Sequence, residues 1–422
     1  MKREPSLAAP AVSRPALPLP IWEFVGMIAA MMALNALAID TMLPALHEIA
    51  TSYSLESQND QQLVIFAYVL GFGAPQLVFG PVSDSFGRKK VVLGCIVGYT
   101  IMGFACMAAT SFTMLLVTRF LQGIAASGIR VIAVSVVRDL MGGRAMARLM
   151  SLVMTVFMVV PILAPVIGQG VMLFAPWQWT FGILGLAGLI MFAWISIRLP
   201  ETLPADNRPK LNFAGSMRAY KQVIMTPVTL GYMCASGVIF GALFSYVASS
   251  EQVFRDVFHK ADTFVLWFAG IAAALSVSNF MNSRVVEKIG MRRVSHTVLL
   301  GFIALAILNT VLMSVFGEHL LIFYPLFALT FACFGMIGAN FSALAMEPLA
   351  KIAGTGSAAY GFMTTTVASF FGWLVASRFD GSVVPILEGY VGLGIACLVI
   401  VLITERGKLF GTGDEADADE GI

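Results

Sequence analysis

The sequence predicts an all-α membrane protein of twelve transmembrane helices, divided six and six. Three observations carry this. Of 422 residues, 58% are hydrophobic and only 12% charged, with a mean hydropathy of +0.86; soluble domains hold roughly 25% charged residues. Twelve stretches reach the about 20 apolar residues that a span requires. One polar interval separates the first six from the last six.

The predicted spans cover roughly 21–46, 59–80, 89–109, 112–138, 145–172 and 178–198, then 223–249, 262–285, 293–316, 319–346, 355–379 and 383–404. Residues 21–198 thus form an N-terminal six-helix bundle and 223–404 a C-terminal one. Between them, 199–222 is polar, Pro-containing and basic, and reads as a linker. Residues 1–20, with Pro5, Pro10, Pro15, Pro18 and Pro20, read as a disordered tail. Residues 405–422 read as an acidic, solvated one. No cleavable signal peptide is legible, because the first apolar run is too long and further spans follow it.

Lysine and arginine placement sets the orientation. About 21 of the 26 fall on the side of the termini, about three on the other (Arg255, Lys260, Arg378), and Arg119 and Arg130 fall inside a span. Both termini are therefore expected in the cytoplasm of a bacterial cell, with the chain in the inner membrane. An internal echo supports two equivalent halves. Asp84, Gly87, the basic pair Lys89–Lys90 and Val91 after span 2 align with Glu287, Gly290, Arg292–Arg293 and Val294 after span 8. Paired halves with a site between them are a common transporter plan.

Several classes are excluded. There is no basic stripe for nucleic acid. The five cysteines lie singly in apolar stretches, as packing residues rather than disulfides or metal ligands. No P-loop and no Ser/His/Asp arrangement is legible, and the four histidines lie near span ends. The chain is therefore expected to be no enzyme and to use no cofactor or metal. It is expected to act as a monomer on protons and a small molecule within the lipid bilayer.

Asp40 is the central candidate. It lies about 24 Å along a helix starting near Phe24, in the outer third of the bilayer, with Pro44 one turn later to kink the chain. A charge at such depth costs at least about 2.5–3.5 kcal/mol, which marks it as functional rather than a static hydrogen-bonded group. Arg119, about 10 Å below the outer surface on span 4, is its expected partner, directly or through water. Gln122 and Gly123 share its face, and the small residues through Gly128 allow close helix approach. Arg130 returns to nearly the same face about 16 Å deeper. It either lines the cavity and attracts an anionic group or snorkels to the cytoplasmic surface.

GPVSDSFGRKK reads as the loop between spans 2 and 3. There Gly80 and Gly87 permit a turn, Asp84 caps the next helix or pairs with a cation, and Arg88–Lys90 anchor at the lipid surface. In span 5, Pro161, Pro165, Gly168 and Gly170 suit a hinge or a tight seam. The C-terminal half lacks a deep charge; Glu347 falls at a span end, in a structural role. Candidate cavity residues are Asn35, Tyr68, Gln122 and Arg130, with Phe240, Phe244, Tyr246, Trp267, Asn279, Phe334, Asn340, Phe341 and Trp373 from the second half. With 24 methionines in the chain, a plastic, apolar cavity is expected.

These residues carry a resemblance. GPVSDSFGRKK resembles the signature loop of the major facilitator superfamily, and RFLQG in span 4 the motif of its proton-coupled members. PILAPVIGQG is similar to the antiporter motif of twelve-span drug:proton exporters. AIDTMLPAL looks closest to the Bcr/CflA branch, the bicyclomycin- and chloramphenicol-type multidrug exporters. The similarity spans roughly 21–405. It implies a V-shaped pair of bundles around a central cavity, exporting small lipophilic drugs against protons. It also implies Asp40 as the membrane acid, Arg119 as the proton-coupling arginine, Asp84 and Arg88 as the conformational latch, and Pro165 and Gly168 as the antiporter seam. Departures are Ala164 and Gln169 where that motif usually has Gly, and apolar Met32 where some multidrug relatives carry a second acid. Arg130 lies outside the general pattern and leans the substrate away from cations. With no second deep acid legible, one proton per cycle is expected. Import of a metabolite with protons on the same fold is the main rival; a sensor is disfavoured by the short tails.

Overall fold

A computed structural model of the chain describes residues 19–141 and 143–411. Among them there is no strand. In chain order the helices are α1 (Ile21–Asp40), α2 (Leu46–Ser52), α3 (Leu63–Gly73), α4 (Gln76–Phe86), α5 (Arg88–Met107), α6 (Phe112–Leu140), α7 (Gly143–Phe157) and α8 (Val160–Met172). They continue as α9 (Trp179–Arg198), α10 (Phe213–Ile224), α11 (Pro227–Gln252), α12 (Phe264–Ile289), α13 (Met291–Phe316), α14 (Leu320–Met346), α15 (Ala353–Ala376) and α16 (Val384–Thr404). By length and composition eleven spans are present among the described residues, and twelve once the bent pair α3–α4 is one span. The chain is thus a multi-pass membrane protein of the expected twelve-helix class.

Proline places the breaks, because it lacks the amide donor and its ring clashes with the carbonyl four residues earlier. Pro44 stands four residues after Asp40, and α1 stops at Asp40. Pro161 stands four after Phe157, and span 5 splits into α7 and α8 there. At Ala74–Pro75 span 2 bends by 45° between α3 and α4.

The first half packs α6 against α3 and α5, with α9 on α5; the second packs α11 against α14, α15 and α16, with α13 on α14. The halves meet where α15 runs along α3 and α4, where α8 meets α12, and where the turn after α1 meets α11. We call the face carrying residues 20 and 405 the terminal face, and the opposite one the far face.

Two expectations about connections need correction. The segment GPVSDSFGRKK is mostly helix: α4 continues to Phe86 and α5 begins at Arg88. Only Gly87 turns, at φ +97°, a conformation open to glycine; Gly80 lies inside α4. Gly290 does the same between α12 and α13 at φ +90°, so the echo between the halves extends to backbone geometry. Span 7 also begins later than expected, at Pro227 rather than 223, because Phe213–Ile224 form a helix of their own, α10. Asn212 caps that helix by accepting from the Gly215 amide at 2.9 Å.

Most of both predicted tails, 1–18 and 412–422, lies outside the described residues. The segment just after α16 packs on the second bundle. Glu405 accepts from Tyr232 Oη at 2.6 Å and Arg292 Nε at 2.9 Å, and the Phe410 amide donates to His296 Nδ1 at 3.2 Å.

Candidate functional site

Three carboxylates are buried among the described residues: Glu23, Asp40 and Glu251. Glu23 is held by Arg198 through two bonds of 2.7 Å. Glu251 accepts from Arg255 Nη1 at 2.6 and 2.8 Å. Asp40, 6% exposed, has neither an ion pair nor a side-chain hydrogen bond among the described residues. It lies at the far end of α1, within Coulombic range of Tyr246 on α11. The Tyr246 hydroxyl is itself buried without a partner.

Arg119 does not pair with Asp40. Its guanidinium donates to the Ala38 carbonyl at 2.8 Å, the Val64 carbonyl at 3.3 Å and Gln122 Oε1 at 2.8 Å. It also lies 4.4 Å from the Tyr68 ring centroid and 5.5 Å from that of Phe181. The Ala38 carbonyl sits in the last turn of α1, where carbonyls lose their intrahelical donors. Arg119 therefore grips the backbone two residues before Asp40 rather than the acid itself.

The predicted seam in span 5 reaches the same place. Gly168 on α8 lies against the Thr41 carbonyl, so a Cβ there would overlap backbone. Pro165 and Gly168 are buried on that face, whereas Gly170 has open space beside it.

The bundles close on each other at the far face through a polar seam. Gln62 Nε2 donates to Gln252 Oε1 at 2.7 Å and to the Ala376 carbonyl at 3.2 Å. Gln252 Nε2 donates to Asn59 Oδ1 at 3.1 Å, and Asn59 Nδ2 donates to the Ser377 and Phe379 carbonyls at 3.1 and 2.7 Å. Gln61 Nε2 reaches Glu251 Oε2 at 3.5 Å. Sequence reading missed this seam, because it ended span 7 at residue 249 while α11 runs to Gln252. The i, i+4 pair Glu251–Arg255 was the available signal. The second half therefore does hold a buried acid, but a neutralised one.

At the terminal face, Arg88 is buried, not a lipid anchor. Its guanidinium pairs with Asp84, with Asp139 Oδ2 at 2.9 Å and with Ser83 Oγ at 2.6 Å. Asp84 does not cap α5. The linker's Glu201 does, accepting from the Arg88 and Lys89 amides at 2.8 and 3.3 Å. Burial and the Asp84 carboxylate push the Tyr220 hydroxyl of α10 up to about 12. It stays a donor, to the Leu77 carbonyl of α4 at 2.7 Å. Glu347 ends α14, 3.8 Å from Arg292.

The candidate cavity residues separate. Asn35 and Tyr68 bond each other at 3.0 Å, and Gln122 serves Arg119. Phe244 lies by Gly372 and Phe66 at the junction of the halves. Phe240 stacks on Phe334, and Tyr246 stacks on Phe268, meets Phe327 at a tilt and Phe331 edge-on. Other positions do not fit a cavity wall. Phe334, Phe341 and Asn340 are buried within the second bundle, Asn340 donating to Asn282 at 2.8 Å. Asn279 bonds its own helix. Trp267 sits at the far end of α12 beside Phe254 and Tyr324. Trp373 is 41% exposed, beside exposed Phe370.

Two helical bundles with an unneutralised acid at the far end of α1 suit a membrane transporter, and the family and relatives are transporters rather than enzymes. The chain belongs to the Major Facilitator Superfamily, whose sequence profile matches residues 28–373. It is 31% identical over 372 residues to the bicyclomycin resistance protein homolog of Haemophilus influenzae, covering 86% of this chain and 90% of that protein. It is also 31% identical over 363 residues to the uncharacterized MFS-type transporter YdgK of Bacillus subtilis, at 83% and 87% coverage. The multidrug resistance protein MdtL of Citrobacter koseri is 27% identical over 382 residues, at 88% and 93%. Among solved structures, the xylose transporter XylE from E. coli, in a partially occluded inward open conformation, superposes with a TM-score of 0.71 at 11% identity. That match covers 92% of this chain and 99% of the other.

Proposed function

We propose that the chain is a proton-coupled antiporter that exports small lipophilic compounds across the bacterial inner membrane by alternating access, with both termini cytoplasmic. The observation that carries this is Asp40, which alone among the three buried acids lacks a cation. A charge so placed is costly in the membrane, and loading a proton removes that cost. With the far face outward, the polar seam closes the outside in this state. Asp40 takes its proton while that seam is open and gives it up toward the cytoplasm as cargo binds. Arg119 holds the turn bearing Asp40 in place through the Ala38 carbonyl, and Tyr246 is the group on the opposite bundle that senses its charge. Gly168 keeps α8 tight against Thr41, so that protons do not leak past the acid. Asp84 and Arg88 form the latch at the cytoplasmic end. Relatives named for bicyclomycin and multidrug resistance support drug-like cargo.

The test is Asp40→Asn in inverted vesicles with an imposed pH gradient. Gradient-driven drug transport is expected to vanish while the folded protein stays in the membrane. Full transport by this variant would sink the proposal, and cargo moving in the same direction as protons would favour the importer.

A further inference from the structure

We infer that Arg130 anchors a binding site, between the two bundles, for the anionic group of a small lipophilic molecule. The inference rests on the transporter reading only for where such a molecule goes, not for the site itself.

Arginine keeps its charge under any condition a cell offers. Inside a membrane protein it must therefore find partners, and the other inward-placed arginines here do. Arg88 has Asp84 and Asp139, Arg255 has Glu251 and Asp256, Arg292 has Glu405, and Arg119 has two carbonyls and an amide. Half-buried Arg130 has neither an ion pair nor a side-chain hydrogen bond among the described residues.

The guanidinium packs on α3, the helix that α15 of the second bundle runs along. It lies 5.6 Å from the centroid of the Phe72 ring on α3. It acts electrostatically on Tyr360 of α15, in the second bundle. Tyr360 donates to Ser236 Oγ at 3.0 Å, and as a neutral phenol it leaves the cation's charge uncompensated. One planar cation over an aromatic ring where α3 meets α15, with no carboxylate paired to it among the described residues, suits a carboxylate, sulfonate or phosphonate on an aromatic or alkyl body. The fork of N–H groups grips the oxygens in pairs, and the ring takes the apolar part.

A matched pair of fluorescent probes tests this on the full chain in lipid nanodiscs, with empty discs subtracted. Anilinonaphthalene sulfonate and phenylnaphthylamine share one skeleton and differ in the sulfonate. Wild type is expected to bind the sulfonate saturably. Arg130→Gln is expected to weaken it by about tenfold or more, as losing one partner of a desolvated charge pair does. The neutral probe should bind unchanged, and Arg130→Lys should fall between. Benzenesulfonate should displace the bound anion from wild type, whereas benzyl alcohol at equal concentration should not; this arm needs no folded variant. Equal losses for both probes, an unchanged sulfonate affinity, indifference to benzenesulfonate, or no saturable binding by wild type each overturn the site. Proton-driven transport in vesicles is scored separately. Intact, Arg130-dependent binding without transport refutes the exporter and leaves the site standing.

Discussion

At the scale of single residues, the arrangement around Asp40 separates two duties that one ion pair would merge. Arg119 fixes the backbone, and Asp40 is left free to change its charge. Had the two paired directly, protonation would have to break a buried salt bridge, and leaving either partner behind costs about 3–5 kcal/mol. Gly168 makes the sharpest steric case. A methyl group there meets the Thr41 carbonyl rather than a mobile side chain. Gly168→Ala should therefore cost about 1–3 kcal/mol of stability by overpacking and cut efflux severalfold or more. Thermal unfolding in detergent and efflux per folded molecule measure the two effects. An unchanged midpoint with full efflux would show that the contact is slack.

At the scale of elements, the join between α4 and α5 shows how one side chain from a distant segment completes a helix. The first amides of α5 lack intrahelical acceptors. Gly87, turning at positive φ, leaves them open, and Glu201 arrives from beyond span 6 to take two of them. Glu201→Ala should lower stability by about 1 kcal/mol, a typical cap loss, seen as a lower unfolding midpoint, with Glu201→Gln intermediate. A midpoint equal to wild type would mean that water or Asp84 replaces the cap. Sequence reading had the right residues here but the wrong geometry. The motif looked like a loop because Gly80, Pro81 and Gly87 crowd together. Gly80 and Pro81 nevertheless stay within α4, and the capping partner lies more than a hundred positions away.

At the scale of the whole molecule, the halves are joined most densely at the far face. Replacing Gln62 and Gln252 by cysteine should allow a cross-link that holds that face shut. Oxidation should stop transport and a reductant restore it, while either single cysteine transports throughout. Transport that persists in the cross-linked form would mean that this seam need not part. The twelve helices were legible from hydropathy alone, and Asp40 from the cost of its charge, because both depend on local composition. The carbonyls that Arg119 grips, and its lack of a direct pair with Asp40, were not. Depth along a helix gives height in the membrane but not azimuth, so two residues at matching depth need not face each other. Phe334, Asn340 and Phe341 were chosen by residue type, which does not tell which face they present; all three are buried within the second bundle.

Asn59, Gln62 and Gln252 carry no formal charge. Parting them exchanges amide–amide hydrogen bonds for amide–water ones, a trade of nearly constant free energy. These three amides therefore part equally easily in acid and in neutral surroundings. Glu251, which accepts from Gln61 in the same seam, is its carboxylate, so acidity reaches the join between the halves through that one side chain rather than through the amides.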